Sequence, residues 1–264
     1  VRIPRLAIPL AALAALATAG AQAITLVGLT SANQLTHIDT GNIAGATTTA
    51  ITGLAAGDRL VGIDLRPADG KLYGVSLSNN LYTINEMTGA ATQVAMLVPS
   101  VVQANLGYGI DFNPVADRLR MLAADGTSFR VNVETGEVVV DGSVAYAAEG
   151  PYAGKSAKVV AGAYSNAYAG TQATALYTVD LASSNLMLQN PPNDGIQQAV
   201  GKIVDGLQNA ALDIASDGKG GNTAYLLTGT TLHTLDLATG KPTTLGDIAG
   251  LPGNIIDIAV LPGM

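Results

Sequence analysis

Apolar and polar residues alternate along most of this chain in short runs, and Gly, Asn, Asp or Pro closes each run. Alternation with period two and frequent turn residues is typical of antiparallel strands. The clearest series lies in residues 60–97, where four such runs follow one another. This pattern predicts a four-stranded antiparallel sheet.

A short sequence motif, which we call the recurring phrase, marks the beginning of this series and occurs again along the chain. It reads Gly-Ile-Asp at Asp64, and related phrases occur around Asp111, Asp213 and Asp257, while Ala163 stands at the matching place in a degraded copy. These five positions are 47, 52, 50 and 44 residues apart. A period near fifty residues, built from four short strands, predicts a β-propeller with five blades.

The two ends of the repeat region complete each other. Residues 26–35 align without gaps with residues 72–81, which begin at a second strand, so the first copy lacks a first strand. Ile255–Val260 resembles a first strand with no copy after it. The sequence therefore predicts an all-β, five-bladed propeller of four-stranded antiparallel blades, closed by the C-terminal strand, which completes the first blade. Closure removes the free sheet edges of an open array, and the polar capping repeats of a solenoid are missing.

The copy around Ala163 is the least regular. Residues 160–166 stand for its first strand, and Leu176–Asp180 matches a third strand. Residues 189–205 are rich in Asn, Pro and Gln, which predicts a loop excursion in place of a fourth strand.

The N-terminal segment has the features of a secretory signal peptide. Arg2 and Arg5 precede a small-residue apolar run at 6–17, and Ala21-Gln22-Ala23 fits a cleavage site. The alternative is a membrane anchor, but the run is short for a bilayer span. We therefore expect an exported protein, extracellular or periplasmic, with a signal peptide at 1–23 and one propeller domain at 24–264 that contains no membrane span.

Composition narrows the possible partners. The chain has 13 Lys and Arg against 20 Asp and Glu, no Cys and no Trp. An acidic balance disfavours nucleic acid, whose affinity depends on neutralising phosphates, and the lack of Cys excludes thiolate metal sites and thiol nucleophiles. We expect a monomer that binds an unknown protein or a small molecule.

Four acidic residues are predicted to line the ring axis because first strands are innermost: Asp64, Asp111, Asp213 and Asp257. One interpretation is a cation site, since Ca²⁺ and other hard divalent cations take oxygen ligands, or a source of acid and base groups for hydrolysis. The other is structural, with each carboxylate accepting hydrogen bonds between blades. The structural interpretation needs no cofactor and is favoured, because a device present in nearly every blade is more simply a part of the ring.

Three arginines form a modest basic set in this acidic chain. Arg118 and Arg120 are two positions apart and share a face of one strand, and Arg66 follows an earlier first strand with Asp58-Arg59 nearby. They predict either an anion-binding clamp or, as the favoured alternative, salt bridges between blades.

Other residue types offer little chemistry. His37 and His233 fall on third strands at different phases, which disfavours a shared zinc site or a relay. Of the four Glu residues, Glu149 alone lies away from the predicted outer hairpins, so a glycosidase like those on other five-bladed propellers is disfavoured.

Several blocks resemble one known family: 57–64, Pro67 with the Leu72-Tyr73 strand, 111–120 and Thr135-Gly136. Together they are similar to an exported bacterial family known as domain-of-unknown-function family 4394, over nearly all of 24–264. The resemblance implies a propeller-like β protein and brings no established activity or catalytic residues.

We therefore favour a non-enzymatic propeller that binds a partner or ligand through loops at one end of the ring, since loops on a rigid scaffold usually carry recognition. The widest irregular stretches are 99–107, 141–158 and 189–208. The alternative is a metal-assisted hydrolase or lactonase-like enzyme that uses the axial Asp ring.

Overall fold

A computed structural model describes residues 23–261, which form five sheets arranged in a ring. Four-stranded antiparallel order is common to all five sheets, and one sheet has an additional strand. The predicted signal peptide lies outside the described residues, apart from Ala23. Within 23–261 no helix has the length and apolar character needed to cross a bilayer.

The first three blades follow the predicted order. Blade 1 begins with β1 (Thr25–Thr30), β2 (Gln34–Asp39) and β3 (Thr47–Ala50). Blade 2 contains β4 (Leu60–Leu65), β5 (Leu72–Ser76), β6 (Asn80–Ile84) and β7 (Ala91–Met96). Blade 3 contains β8 (Tyr108–Asn113), β9 (Arg118–Ala123), β10 (Ser128–Val131) and β11 (Val138–Val140).

The remaining strands build blades 4 and 5 and return to blade 1. Blade 4 contains β12 (Ala145–Tyr146), β13 (Val159–Tyr164), β14 (Leu176–Asp180), β15 (Asn185–Gln189) and β16 (Ile196–Lys202). Blade 5 contains β17 (Ala211–Ser216), β18 (Asn222–Thr228), β19 (Thr231–Leu235) and β20 (Pro242–Asp247). The last strand is β21 (Ile255–Val260).

Ring closure occurs as predicted. Strand β21 pairs antiparallel with β1 and is the innermost strand of blade 1, with Gly28 opposite Ile258. The N–H of Leu261 also donates to the carbonyl of Thr25 at 2.9 Å. The five-bladed ring and its closing strand are therefore confirmed.

Blade 4 differs from its prediction. Leu176–Asp180 is the second strand of the blade, and β16 occupies part of the stretch predicted as a loop excursion. Leu-Tyr pairs occur on both the second and the third strand of blade 2, so a single Leu-Tyr match does not distinguish the two positions. The stretch 141–158 also contains a strand, β12, which pairs parallel with β16 at the outer edge.

The core lies between blades. Apolar faces of neighbouring blades pack together, for example Leu35 of blade 1 with Leu60 and Tyr82 of blade 2. At the boundary of blades 3 and 4 the inner strands come so close that a Cβ added to Gly109 would lie 2.8 Å from the Cα of Ala161. Gly109 is therefore required where the inner backbones of blades 3 and 4 meet.

We predict that Gly109→Ala destabilises the protein by about 1–3 kcal/mol, because a backbone atom cannot move aside for the added methyl group. Gly107→Ala is the matched control, since no atom lies within 4 Å of its added Cβ. Urea unfolding at constant pH measures both. Equal midpoints for the two variants would contradict the close approach of the inner strands.

Candidate functional site

The inner strands place side chains around the axis in discrete levels, which the strand register identifies. Asp64 lies opposite Tyr73, Asp111 opposite Arg120, and Asp213 opposite Tyr225. Ala163 takes the same place opposite Tyr177 in blade 4. We call this level of the axis the carboxylate level.

Asp257 does not lie at the carboxylate level, although the recurring phrase predicts the same strand position for it as for the other three Asp. It is opposite Leu29, whereas Ala259 is opposite Val27, the counterpart of Tyr73. Because strand side chains alternate with period two, residues 257 and 259 point to the same side, so a pattern match alone did not reveal the offset. Asp257 instead lies two residues before that level, at the level of Gly62, which we call the glycine level. Its Oδ2 lies 2.7 Å from where Gly62 would carry a Cβ.

All four carboxylates accept backbone hydrogen bonds across a blade boundary. The N–H of Phe112 donates to Asp64 at 2.6 Å, that of Tyr164 to Asp111 at 3.0 Å, that of Val260 to Asp213, and that of Ile63 to Asp257 at 3.0 Å. From blade 4 to blade 5 this link is lacking among the described residues, because Ala163 has no acceptor.

Three of these carboxylates also converge on one another. Single carboxylate oxygens of Asp64, Asp111 and Asp213 all lie within 4.8 Å of each other. The small side chains of Ala163 and Ala259, at the two remaining positions of the level, leave room for this approach. Asp111 and Asp213 belong to blades that are not neighbours, so these carboxylates approach one another across the axis. Carboxylates this close favour a shared proton or a bound cation.

Burial and mutual repulsion make these groups hard to ionise. Burial raises the pKa of Asp64 and Asp111 well above the ordinary value, and the charges of neighbouring axial carboxylates raise it further. Burial raises the pKa of Asp213 to about 6, although backbone donors from Val260 and Ile214 oppose this rise. Burial likewise raises the pKa of Asp257 well above its usual range.

A cavity of about 330 Å³ opens onto the carboxylate level where the inner strands end. We call it the carboxylate mouth. Its lining includes Asp64, Asp111, Asp213, Tyr168 and Ser216. The three converging carboxylates are thus reachable from one end of the ring, whereas Asp257 does not line this cavity.

Arg66 joins blades 2 and 3 near this end. Its guanidinium pairs with Asp117, with Asp69 at 3.2 Å and with Glu134 at 3.1 Å. The hydrogen bond from Arg66 holds the pKa of Asp117 below its usual range. With three carboxylate partners, this guanidinium resembles an inter-blade brace more than an open anion clamp.

Arg120 and Arg118 do not act together. Arg120 is buried and donates to Asp141 at 2.6 Å, to the Tyr164 hydroxyl at 3.0 Å and to the Asn193 side chain at 2.6 Å. Because Tyr164 and Asn193 belong to blade 4, Arg120 bridges blades 3 and 4, where the apolar core is small. Arg118 donates to the backbone carbonyl of Asp117 at 2.8 Å.

A second cavity, of about 370 Å³, opens where the inner strands begin. We call it the Arg59 mouth. All five blades contribute to its lining, including Ile255, Leu60, Tyr108, Val160 and Asn209. Residues 104, 106 and 107 of the predicted loop 99–107 border it, and so does residue 208 from the stretch 189–208. The stretch 141–158 does not.

Two asparagines at equivalent turns hold the rim of this mouth. Asn33 and Asn79 both adopt left-handed backbone conformations, with φ of 59° and 62°. The side chain of Asn33 accepts the N–H of Leu60 at 3.0 Å, and that of Asn79 accepts the N–H groups of Val101 and Val102. Sequence analysis did not identify this role, although the gapless alignment of residues 26–35 with 72–81 pairs the two Asn.

The two histidines lie on β2 and β19, both third strands, as predicted. His233 contacts the hydroxyls of Thr228 at 3.0 Å and Thr244 at 3.1 Å. Neither histidine lines the carboxylate mouth or the Arg59 mouth.

A family model described as a domain of unknown function, DUF4394, matches residues 34–259. No curated protein matches the chain.

Several solved structures are similar to this chain at low identity. A protein of unknown function from Bacteroides thetaiotaomicron is 15% identical, with a TM-score of 0.51 over 89% of this chain and 64% of that one. One from Bacteroides caccae is 12% identical, with a TM-score of 0.45 over 91% and 99%. An auxiliary nutrient binding protein from Bacteroides ovatus is 15% identical, with a TM-score of 0.44 over 76% and 55%. At these identities the first likeness supports the fold alone.

We predict that the protein loses stability as pH rises through about 6, in contrast to proteins with paired surface acids. The folded-state pKa of Asp213 lies above its ordinary value of 3.8, so the folded state holds more protons. Its contribution is fully present below pH 4 and is lost through pH 6. A rise from 3.8 to about 6 corresponds to about 3 kcal/mol.

Asp213→Asn keeps an oxygen that can accept the Val260 N–H but removes the charge. We expect it to flatten the decline between pH 4 and 8 and to raise the urea midpoint at pH 8, whereas Asp213→Ala lowers the midpoint at every pH. Asp205→Asn, at an exposed carboxylate, is the control and should keep the wild-type slope. An unchanged slope in Asp213→Asn would refute the assignment.

Proposed function

The chain belongs to the DUF4394 family, and we propose that it is a non-catalytic binding protein that takes a small ligand at the Arg59 mouth. The observation that carries this proposal is the cavity of about 370 Å³ on the ring axis, to which every blade contributes. Ligand sites are typically concave and mostly apolar, with a few polar groups, and have volumes of about 300–1,000 Å³.

The rim of the Arg59 mouth supports this role. Asn79 holds the backbone of residues 101 and 102, and the hydroxyl of Tyr108 accepts the N–H of Gln103 at 2.7 Å. The loop 99–107 is therefore tied at several points to the blades beneath it. A fixed rim lowers the entropy lost when a ligand binds.

The carboxylate mouth favours a second candidate function, the binding of a divalent cation such as Ca²⁺. Asp64, Asp111 and Asp213 bring carboxylate oxygens within 4.8 Å and line a cavity open to one end of the ring. A metal-assisted hydrolase or lactonase-like activity would use this end. It ranks second because each carboxylate already accepts a backbone hydrogen bond.

Export and a monomeric state are part of the same proposal. The features that support export are the basic N-terminus, the short apolar run and the Ala-x-Ala site within residues 1–23. The propeller at 24–264 would then act outside the cytoplasm, where a scaffold without cysteine is independent of redox conditions.

The neutral fluorescent probe N-phenyl-1-naphthylamine tests the Arg59 mouth. We expect its fluorescence to rise on binding wild type and to fall to the free-probe level with Gly107→Trp. Gly107 lines the mouth with no atom within 4 Å of an added Cβ, so the indole can fill the cavity without straining the fold. Gly107→Ala should bind like wild type, and equal binding by Gly107→Trp would overturn the proposal.

Calcium titration by calorimetry tests the second candidate. A cation held by the three carboxylates should bind more weakly as pH falls toward 5, because protons compete for the same oxygens. Asp111→Asn should abolish binding, while Asp257→Asn, outside the cluster, should retain it. The site is ruled out if wild type gives no binding heat at pH 8. It is also ruled out if both variants still bind calcium.

A further inference from the structure

The two mouths of the ring differ in charge. Three carboxylates line the carboxylate mouth, whereas the lining of the Arg59 mouth contains no Asp or Glu and one charged side chain, Arg59. In a chain of net charge −7, a cavity lined by a single cation stands out. The charge of each mouth therefore selects a different kind of ligand.

The guanidinium of Arg59 is not committed to another residue of the described chain. Among residues 23–261 no carboxylate lies within ion-pair distance of it, in contrast to Arg66, Arg120 and Arg130. Its neighbour Asp58 is engaged elsewhere, since that carboxylate accepts the N–H groups of Ser78 and Arg59 and the side-chain amide of Asn80. The arginine side chain is free to meet an anion.

The backbone from which this side chain projects is fixed. The carbonyl of Arg59 accepts the N–H of Leu77 at 2.9 Å, and the N–H of Leu60 donates to Asn33 at 3.0 Å. Arg59 is thus held between blades 1 and 2 at the rim of the cavity. Because the backbone of Arg59 is fixed, an anionic ligand that pairs with its guanidinium is held at a defined position on the rim.

The rest of the cavity suits an apolar body. Its wall includes Leu60, Val61, Leu106, Val160 and Ile256, and Ile256 remains 37% exposed. Asn33, Gln208, Asn209 and Asn254 also line the cavity. A ligand that buries hydrocarbon here would gain from the hydrophobic effect and keep its polar end beside Arg59.

We propose that the Arg59 mouth binds a small amphipathic organic anion, a molecule with an apolar body and a single carboxylate that Arg59 pairs with. This inference rests on the proposed binding role of the same mouth and adds the chemical class of the ligand. Arginine is suited to this task because its planar guanidinium can donate two parallel hydrogen bonds to one carboxylate.

Octanoate and octanamide test the proposal as competitors for bound N-phenyl-1-naphthylamine. The two differ in their head group alone. We expect octanoate to displace the probe from wild type at about tenfold lower concentration than octanamide, because hydrogen bonds to charged groups are stronger than neutral ones. In Arg59→Gln the two competitors should become equivalent, and in Arg59→Lys part of the preference should return.

Arg118→Gln is the matched control, since it removes the same charge from the opposite end of the inner strands and should keep the wild-type preference. If the probe binds but octanoate shows no advantage over octanamide, the anion inference fails and the binding role of the mouth stands. If the probe does not bind wild type, both fail. A preference for octanoate that survives in Arg59→Gln would also overturn the inference, because another group would then be selecting the anion.

Discussion

The ring depends on a hydrogen bond between a carboxylate on one inner strand and a backbone N–H on the next. Asp64, Asp111, Asp213 and Asp257 each make this bond across a different blade boundary. Inner strands lie close at the axis, so a side chain that links them must be short and must accept a backbone donor. Aspartate meets both conditions. The cost is electrostatic: several carboxylates are gathered in a buried space, where burial and repulsion oppose their ionisation.

Local sequence changes determine which of the carboxylates are crowded together. Alanine replaces aspartate at the carboxylate level in blades 4 and 1. In blade 1 the aspartate, Asp257, lies at the glycine level instead. Three carboxylates therefore converge at one end of the axis while the fourth lies apart. The opposite end has no acids in its lining and presents Arg59. One repeat thus produces two openings of unlike charge.

The architecture could be predicted from sequence because strand periodicity, the near-fifty-residue repeat and the complementary ends are all properties of pattern. The level of a residue along its strand was harder to predict. Residues 257 and 259 share a face of the strand, and the two-residue offset of Asp257 from the other Asp appears only in the pairing of β21 with β1. Blade 4 was assigned incorrectly for a related reason, since second and third strands use similar dipeptides. The Arg59 mouth could not be foreseen, because its lining comes from turns distant in sequence that the ring brings together.

Closure by β21 also fixes where the chain enters and leaves the propeller. Strands β1 and β21 are neighbours in one sheet, and Ile24 and Leu261 both border the carboxylate mouth. The described chain therefore enters and leaves the propeller at that end. A tether or a domain attached at Ile24 or Leu261 would stand beside the carboxylates and crowd their opening. The end bearing Arg59 would point away from the attachment and face the surrounding solution.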